Sequence, residues 1–337
     1  MIKKKVYCLF VAVLIAFSNF AALLDAGEFS HEEVTEYTGM CDASAAVAIT
    51  ASTFVVANDE DNILRFYRHD GRDRGPIQTF YLGPFLNLDA KHPEADIEAA
   101  AQIGNRIYWM TSHARNRKAK RRASRHQFFA TEVENIAGRI VVTFVGQAYN
   151  ALLDDMIHAP SLHRFALQEA SRLAAKHEGS LNIEGLSAKP DGSLWIAFRS
   201  PVPDGKALLV TLSNPEAVID GESAIFGDVI QLALHGLGIR AMEYLDQMHA
   251  YIIVAGASGS GNEFKLFLWS GLASDDPLLI ESVNLQGLHP EAVIAYPIDG
   301  TAIQLLSDDG KQHVAGTRCK DAAIAERRFR SVWIRTK

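Results

Sequence analysis

Three cysteines in 337 residues leave room for a single disulfide, and the chain has no Ser-centred nucleophile elbow, His-rich zinc motif or Walker loop. Basic residues are outnumbered: 33 Lys and Arg against 40 Asp and Glu give a formal charge of -7. That balance excludes a dedicated nucleic-acid binder, which needs a basic footprint. No apolar run reaches the length of a membrane span; Val6 to Phe17 has 12 residues. With 48% apolar and 22% charged residues, wholesale disorder is excluded as well. What is left is a globular chain, long enough for two domains, one barrel-sized domain or a repeat array.

The first 26 residues read as a signal peptide rather than as part of the fold. Lys3, Lys4 and Lys5 precede the apolar run, and small residues lead to Leu24, Asp25 and Ala26 at a plausible cleavage point. An uncleaved N-terminal anchor is the competing reading. Removal takes away three Lys and one Asp, leaving a mature charge of -9. Export to the periplasm or medium follows, with residues 27–337 as one domain. Cys41 and Cys319 then remain, one near each end, and in an oxidising compartment they are expected to pair. Two free buried thiols are the alternative.

An internal repeat organises the rest. Five segments align: Asp42 to Ala46, Asp96 to Ala100, Asn182 to Leu186, Gly238 to Met242 and His289 to Val293. Each passes a turn, the last at Pro297 to Gly300, into a second apolar stretch: Phe54 to Ala57, Ile107 to Met110, Leu194 to Phe198, Tyr251 to Ala255 and Ala302 to Leu306. Third and fourth β-rich stretches follow in most copies. The starts lie 54, 86, 56 and 51 residues apart. Four short antiparallel strands per period predict an all-β fold, a β-propeller of five blades, with six if the long interval hides a degenerate one. That interval is read as a helical hairpin inserted over 147–181, since apolar residues there recur at helical spacing on both sides of Pro160. A propeller must seal its ring. Glu33 to Tyr37 is predicted to join the blade of Arg328 to Ile334, which would bring Cys41 towards Cys319.

The third position of the repeat faces one axis five times, as Ser44, Glu98, Glu184, Arg240 and Glu291. Near the far ends of the second stretches stand Asp59, His113, Arg199 and Asp308, at 17, 17, 17 and 19 residues from the motif starts. Repeated carboxylates on inner strands must be paired, hydrated or liganded. Glu98, Glu184, Glu291 and Asp308 are therefore candidate ligands of a hard cation such as Ca²⁺, and the three glutamates are candidate catalytic groups. In the blander reading, Arg199 and Arg240 neutralise the glutamates in a structural network. A second signal is the stretch from His113 to His126, with seven Lys or Arg and no acid. It is either a solvated hairpin tip, a weak contact for anionic lipid or polymer, or an anion clamp using His113, Arg115 and Arg125. Gly256 to Gly261 (GASGSG) lacks the helix that a dinucleotide loop would need.

The runs DIEAA, MTSHARN with RHQFFAT downstream, LNIEGLSAKPDGSLWIAFRSP and GIRAMEY resemble a bacterial family known as domain of unknown function 3616. The resemblance covers most of residues 40–335. It implies a propeller-like fold and carries no activity. The repeated Glu-Gly/Ala step also resembles phytase-like and gluconolactonase-like propellers at the level of fold alone. Together these signals predict a monomeric exported propeller that hydrolyses a small anionic ester or phosphorylated compound, with His113, Arg115, Arg125, Arg199 and Arg240 holding the anion. The alternative is a non-catalytic binding propeller.

Overall fold

A computed structural model describes residues 29–136, 138–296 and 302–336. The stretch expected to be a signal peptide, residues 1–26, and the turn at Pro297 to Gly300 lie outside the described residues. Five blades surround one axis. Blade 1 comprises Ala45–Ala48, Thr53–Ala57, Ile63–Arg68 and Gln78–Tyr81. Blade 2 comprises Ile97–Ile103, Arg106–Thr111, Phe128–Ile136 and Arg139–Tyr149. Blade 3 follows with Asn182–Ala188, Leu194–Ser200, Ala207–Leu212 and Phe226–Leu232. Blade 4 has Gly238–Leu245, Ala250–Gly256, Phe264–Trp269 and Leu278–Ile280. Blade 5 has Pro290–Ala295, Ala302–Ser307 and Arg328–Thr336. All blade pairings are antiparallel, and no sixth blade occupies the long interval.

The strand pattern follows burial. Second strands such as Leu194–Ser200 and Ala250–Gly256 are buried at every residue, because blades cover both faces. Outermost strands such as Gln78–Tyr81 alternate between half-buried and exposed. Each inner strand packs against the next around the ring, the fifth returning to the first. Five apolar clusters fill the five seams between blades. Each fully buried Leu, Ile or Phe in them contributes about 1.5–3 kcal/mol, so the seams hold the ring together.

Closure uses the N-terminus. Phe29–His31 and Thr35–Thr38 both pair with Arg328–Thr336, in register at Ser30 with Arg335 and Tyr37 with Phe329. Arg328–Thr336 is thus the third strand of its blade, beside Ala302–Ser307. Tyr37, Phe54, Tyr67 and Phe329 pack ring against ring across this seam. A disulfide joins Cys41 to Cys319, at a sequence separation of 278.

The insertion after blade 2 differs from a simple hairpin. Leu152–His158 is an α-helix, Pro160–Phe165 is a 3₁₀ stretch, and Leu167–Ala170 is one more turn. Pro160 and the left-handed Ala166 (φ 50°) interrupt what the apolar spacing alone would continue. Leu152, Leu153, Met156, Leu162 and Phe165 wedge into the seam between blades 2 and 3.

Candidate functional site at the channel mouth

The charged repeat position is placed by a backbone device. In blades 2 to 5 the inner strand leaves one residue unpaired at this step: Ile97 pairs with Thr111 and Ala99 with Met110, leaving Glu98 over. Glu184, Arg240 and Glu291 are the extra residues at the same step of their blades. Such bulges bend a strand and turn a side chain out of the regular alternation. In blade 1 Ser44 donates from Oγ to the Ile97 carbonyl at 2.6 Å, tying the first blade to the second. Below this ring the channel narrows between alanines 45, 99, 241 and 292, and its cavity measures about 10 Å³. That is room for a single water, so a larger ligand does not fit inside the channel.

One half of the mouth is an ion-paired network. Arg199, itself a bulged residue of its strand, donates from Nη1 to Glu184 Oε1 at 2.8 Å, from Nε to the Ala257 carbonyl at 3.2 Å and from Nη2 to the Gly259 carbonyl at 2.5 Å. Arg240 lies between Glu184, at 2.7 Å, and Glu291. The Arg240 Nε to Glu184 Oε2 approach is close but not aligned as a hydrogen bond. Asn182 Nδ2 donates to Glu184 Oε1 at 2.6 Å. Gly238 is required here, since a Cβ would stand 1.8 Å from the Arg199 carbonyl oxygen. Burial, offset by Glu184 and reinforced by Arg199, pulls Arg240 down to about 10.

The other half is an excess of carboxylates. Asp59, Asp96 and Glu98 each offer an oxygen within 4.8 Å of the others. Asp96, at φ 60°, accepts a hydrogen bond from Ser112 Oγ and faces Arg125 Nη1 at 3.0 Å. Asp59 Oδ1 is buried without a hydrogen-bond partner. Glu98 is 9% exposed and has no hydrogen bond or ion pair among the described residues. Asp42 and Asp308 form an antiparallel bridge beside them. Burial, then Asp308, raises Asp42 to about 8. Burial also raises Asp59 well above the carboxylate range, with Asp42, Asp308 and Asp96 adding to it. Glu98 is raised well above its usual value by burial, then by Glu184, Asp96 and Asp59. For Asp96 burial is partly offset by Arg125 and Ser112, and the result is about 6.

Glu98, Glu184, Arg199, Arg240, Glu291 and Asp308 therefore meet at one mouth, as the repeat suggested. They do not form one metal set. Glu184 and Glu291 are neutralised by arginines, whereas Glu98 groups with Asp59 and Asp96, residues the repeat placed near the rim without a ligand role. Their signal was the constant 17-residue spacing between Asp42 and Asp59 and between Asp96 and His113.

His113, Arg115 and Arg125 do not make a shared clamp. The side chain of His113 is buried, with Nδ1 against the Thr111 carbonyl at 2.8 Å and its ring 5.5 Å from that of His126. Burial holds His113 at about 4, hence neutral. Arg115 donates to the carbonyls of Ser171 and Ala119, at 2.7 and 2.9 Å. Arg125 is engaged by Glu94 and Asp96.

Fold and mouth together define a five-bladed β-propeller sealed by its own N-terminal strands, with a charge-divided rim. The chain belongs to the family described as a protein of unknown function, DUF3616, whose model matches residues 42–143 and 130–295. No curated protein matches it by sequence. Among solved structures it is similar to glutaminyl cyclase from Myxococcus xanthus, at 10% identity and TM-score 0.44, over 92% of this chain and 97% of that one. It is likewise similar to the aldose sugar dehydrogenase of Streptomyces coelicolor, solved with PQQ bound, at 11% identity and TM-score 0.45, over 92% and 98%. A putative oxidoreductase (glucose dehydrogenase) from Thermus thermophilus matches at 11% identity and TM-score 0.46, over 90% and 100%. These likenesses are too remote to carry an activity. Among the described residues no helix is long and apolar enough to cross a membrane. The disulfide is compatible with an oxidising compartment outside the cytoplasm.

Proposed function

We propose that the mouth is a cation-assisted hydrolytic site for a small anionic ester or phosphorylated compound, in a periplasmic or secreted protein. The observation that carries this reading is the cluster of Asp59, Asp96 and Glu98, buried or half-buried carboxylates facing one another, whose one ion pair among the described residues is that of Asp96 with Arg125. Such a group is stable only if protonated or if a hard cation supplies the missing charge. An all-oxygen donor set suits Ca²⁺, with Asp42 and Asp308 at its edge. A bound cation there would acidify water and polarise an ester oxygen. Glu184 and Glu291, fixed by Arg199 and Arg240, act as positioning residues that keep the rim in shape. Their full engagement equally favours the non-catalytic reading, in which the same ion clamps a ligand without turnover.

Elemental analysis of the purified mature protein, melts with chelator and with added Ca²⁺, and turnover on phosphomonoester, carboxylic ester and lactone substrates test the reading. Ca²⁺ at a hundredfold excess over its Kd should add about 2.7 kcal/mol of stability. Asp59→Asn should abolish that gain and the turnover with it. A melt indifferent to chelator and Ca²⁺ removes the cation from the proposal. Ca²⁺ binding without turnover on any substrate makes the protein a binding module.

A further inference from the structure

Three cations at the mouth stand apart from the ion-paired ones. Arg199, Arg240, Arg125 and Lys320 each have a carboxylate partner. Lys176, Lys311 and Arg117 have no hydrogen bond from their side chains and no ion pair among the described residues, although carboxylates are abundant nearby.

Their placement is built from both sides of the rim. Lys176 follows the helical insertion in a left-handed conformation, φ 69°. Its segment is held by Leu181 N donating to the Ala170 carbonyl at 3.1 Å and by Arg115 Nε on the Ser171 carbonyl. The Lys176 carbonyl oxygen lies 3.6 Å from where Gly259 would carry a Cβ, and the Gly259 carbonyl is the one that Arg199 grips. Lys311 follows Gly310, which packs so tightly on Asp42 that a Cβ would stand 1.6 Å from Oδ1. Gly310 N also donates to Asp308 Oδ1 at 2.9 Å.

The electrostatics agree with that geometry. The Lys176 residue is exposed as a whole, yet its ammonium is pulled below the usual lysine value by burial, then by Lys311, Arg199, Arg117 and Arg240. Like charges gathered on a rim raise the local concentration of anions and favour one that bridges them. The GASGSG loop, which has no helix to form a dinucleotide site, thus has another use: its Ala257 and Gly259 carbonyls hold the Arg199 guanidinium beside the insertion.

We propose that Lys176 and Lys311 bind a phosphoryl group at the channel mouth, with Arg115 as the positioning residue that fixes the segment bearing Lys176. Two ammonium point charges match a phosphate dianion in charge and impose no planar geometry on it. The inference rests on the mouth being the ligand site and names the ligand's charged group. It does not require an ion among the carboxylates.

Calorimetric titration of the mature protein with inorganic phosphate and with glycerol phosphate, each with chelator and with Ca²⁺, tests it. Sulfate and acetate serve as comparison anions. Wild type should bind phosphate. Lys176→Gln and Lys311→Gln should each weaken it about tenfold, which is about 1.4 kcal/mol, and Lys176→Arg should retain it. Lys118→Gln, in the basic loop, should bind as wild type, and unchanged melts should exclude misfolding. Tighter glycerol phosphate identifies an ester as the ligand; tighter inorganic phosphate identifies the free anion. Wild type without phosphate affinity overturns the proposal, as does wild-type affinity in both glutamine variants or an equal loss in Lys118→Gln. Phosphate binding that survives chelator in a protein that binds no Ca²⁺ would leave this inference standing and remove only the cation.

Discussion

Glu184 and Glu98 occupy the same repeat position with opposite electrostatics. Glu184 is buried between Arg199 and Arg240, so Glu184→Gln should leave two buried guanidinium groups undercompensated and cost about 3–5 kcal/mol. Glu98 has no such partner, and its ionised form is disfavoured by burial and three acids. Glu98→Gln should therefore stabilise the metal-free protein at neutral pH while abolishing stabilisation by Ca²⁺. Paired melts of the two variants check this, and equal losses would mean both acids are structural. His113 and His126 give a pH signature. Burial lowers His113 to about 4 and, with His113 as its next cause, His126 to about 3. The unfolded chain then binds more protons than the native one between these values and the unperturbed pKa of about 6.5. Stability from these two residues is present above that pH and is lost as pH falls through the window. His126→Gln should flatten the acid limb of the stability curve, read by denaturant midpoints across pH.

At the scale of the strand, the site depends on the bulge. An unbulged inner strand would keep strict alternation and turn Glu98, Glu184, Arg240 and Glu291 along with their neighbours. Gly185, just after Glu184, marks how tightly the bulged strand lies on its partner: a Cβ would stand 2.6 Å from Ala197 Cβ and 3.0 Å from Ile239 Cγ2. Gly185→Ala should destabilise by about 1–3 kcal/mol through overpacking. It should also lower affinity at the mouth by shifting Glu184, which phosphate and Ca²⁺ titrations would detect. The strand periods were legible because β-branched and aromatic runs recur between turns. The bulges were not, since one added residue leaves the apolar pattern almost unchanged.

For the whole molecule, ring closure and site are one structure. Cys41 adjoins Asp42, its carbonyl accepts from Asp309 N at 2.9 Å, and Asp42 bridges Asp308. The disulfide spans a separation of 278 residues, and loop entropy alone gives it up to roughly 5 kcal/mol. Cys41→Ser with Cys319→Ser should lower the denaturant midpoint and, by loosening Asp42 and Asp308, weaken Ca²⁺ binding too. Lost stability with unchanged ion affinity would place Asp42 and Asp308 outside the ion site.

The amino-acid sequence by itself determined the repeat, the strand periods and the convergence of Glu98, Glu184, Arg240 and Glu291 on one axis. All of these follow from periodicity, a property of the chain read in order, whereas the pairing of Cys41 with Cys319 was an expectation that the structure decided. The partition of that ring was decided only by tertiary structure. Arg199 meets Glu184 from the same blade and Arg240 from the next, while Asp59 and Asp96 reach Glu98 from two different blades. Which acid finds a cation depends on distances of a few ångströms between blades. Coulomb energies and burial costs vary steeply over that range, and spacing along the chain does not encode it.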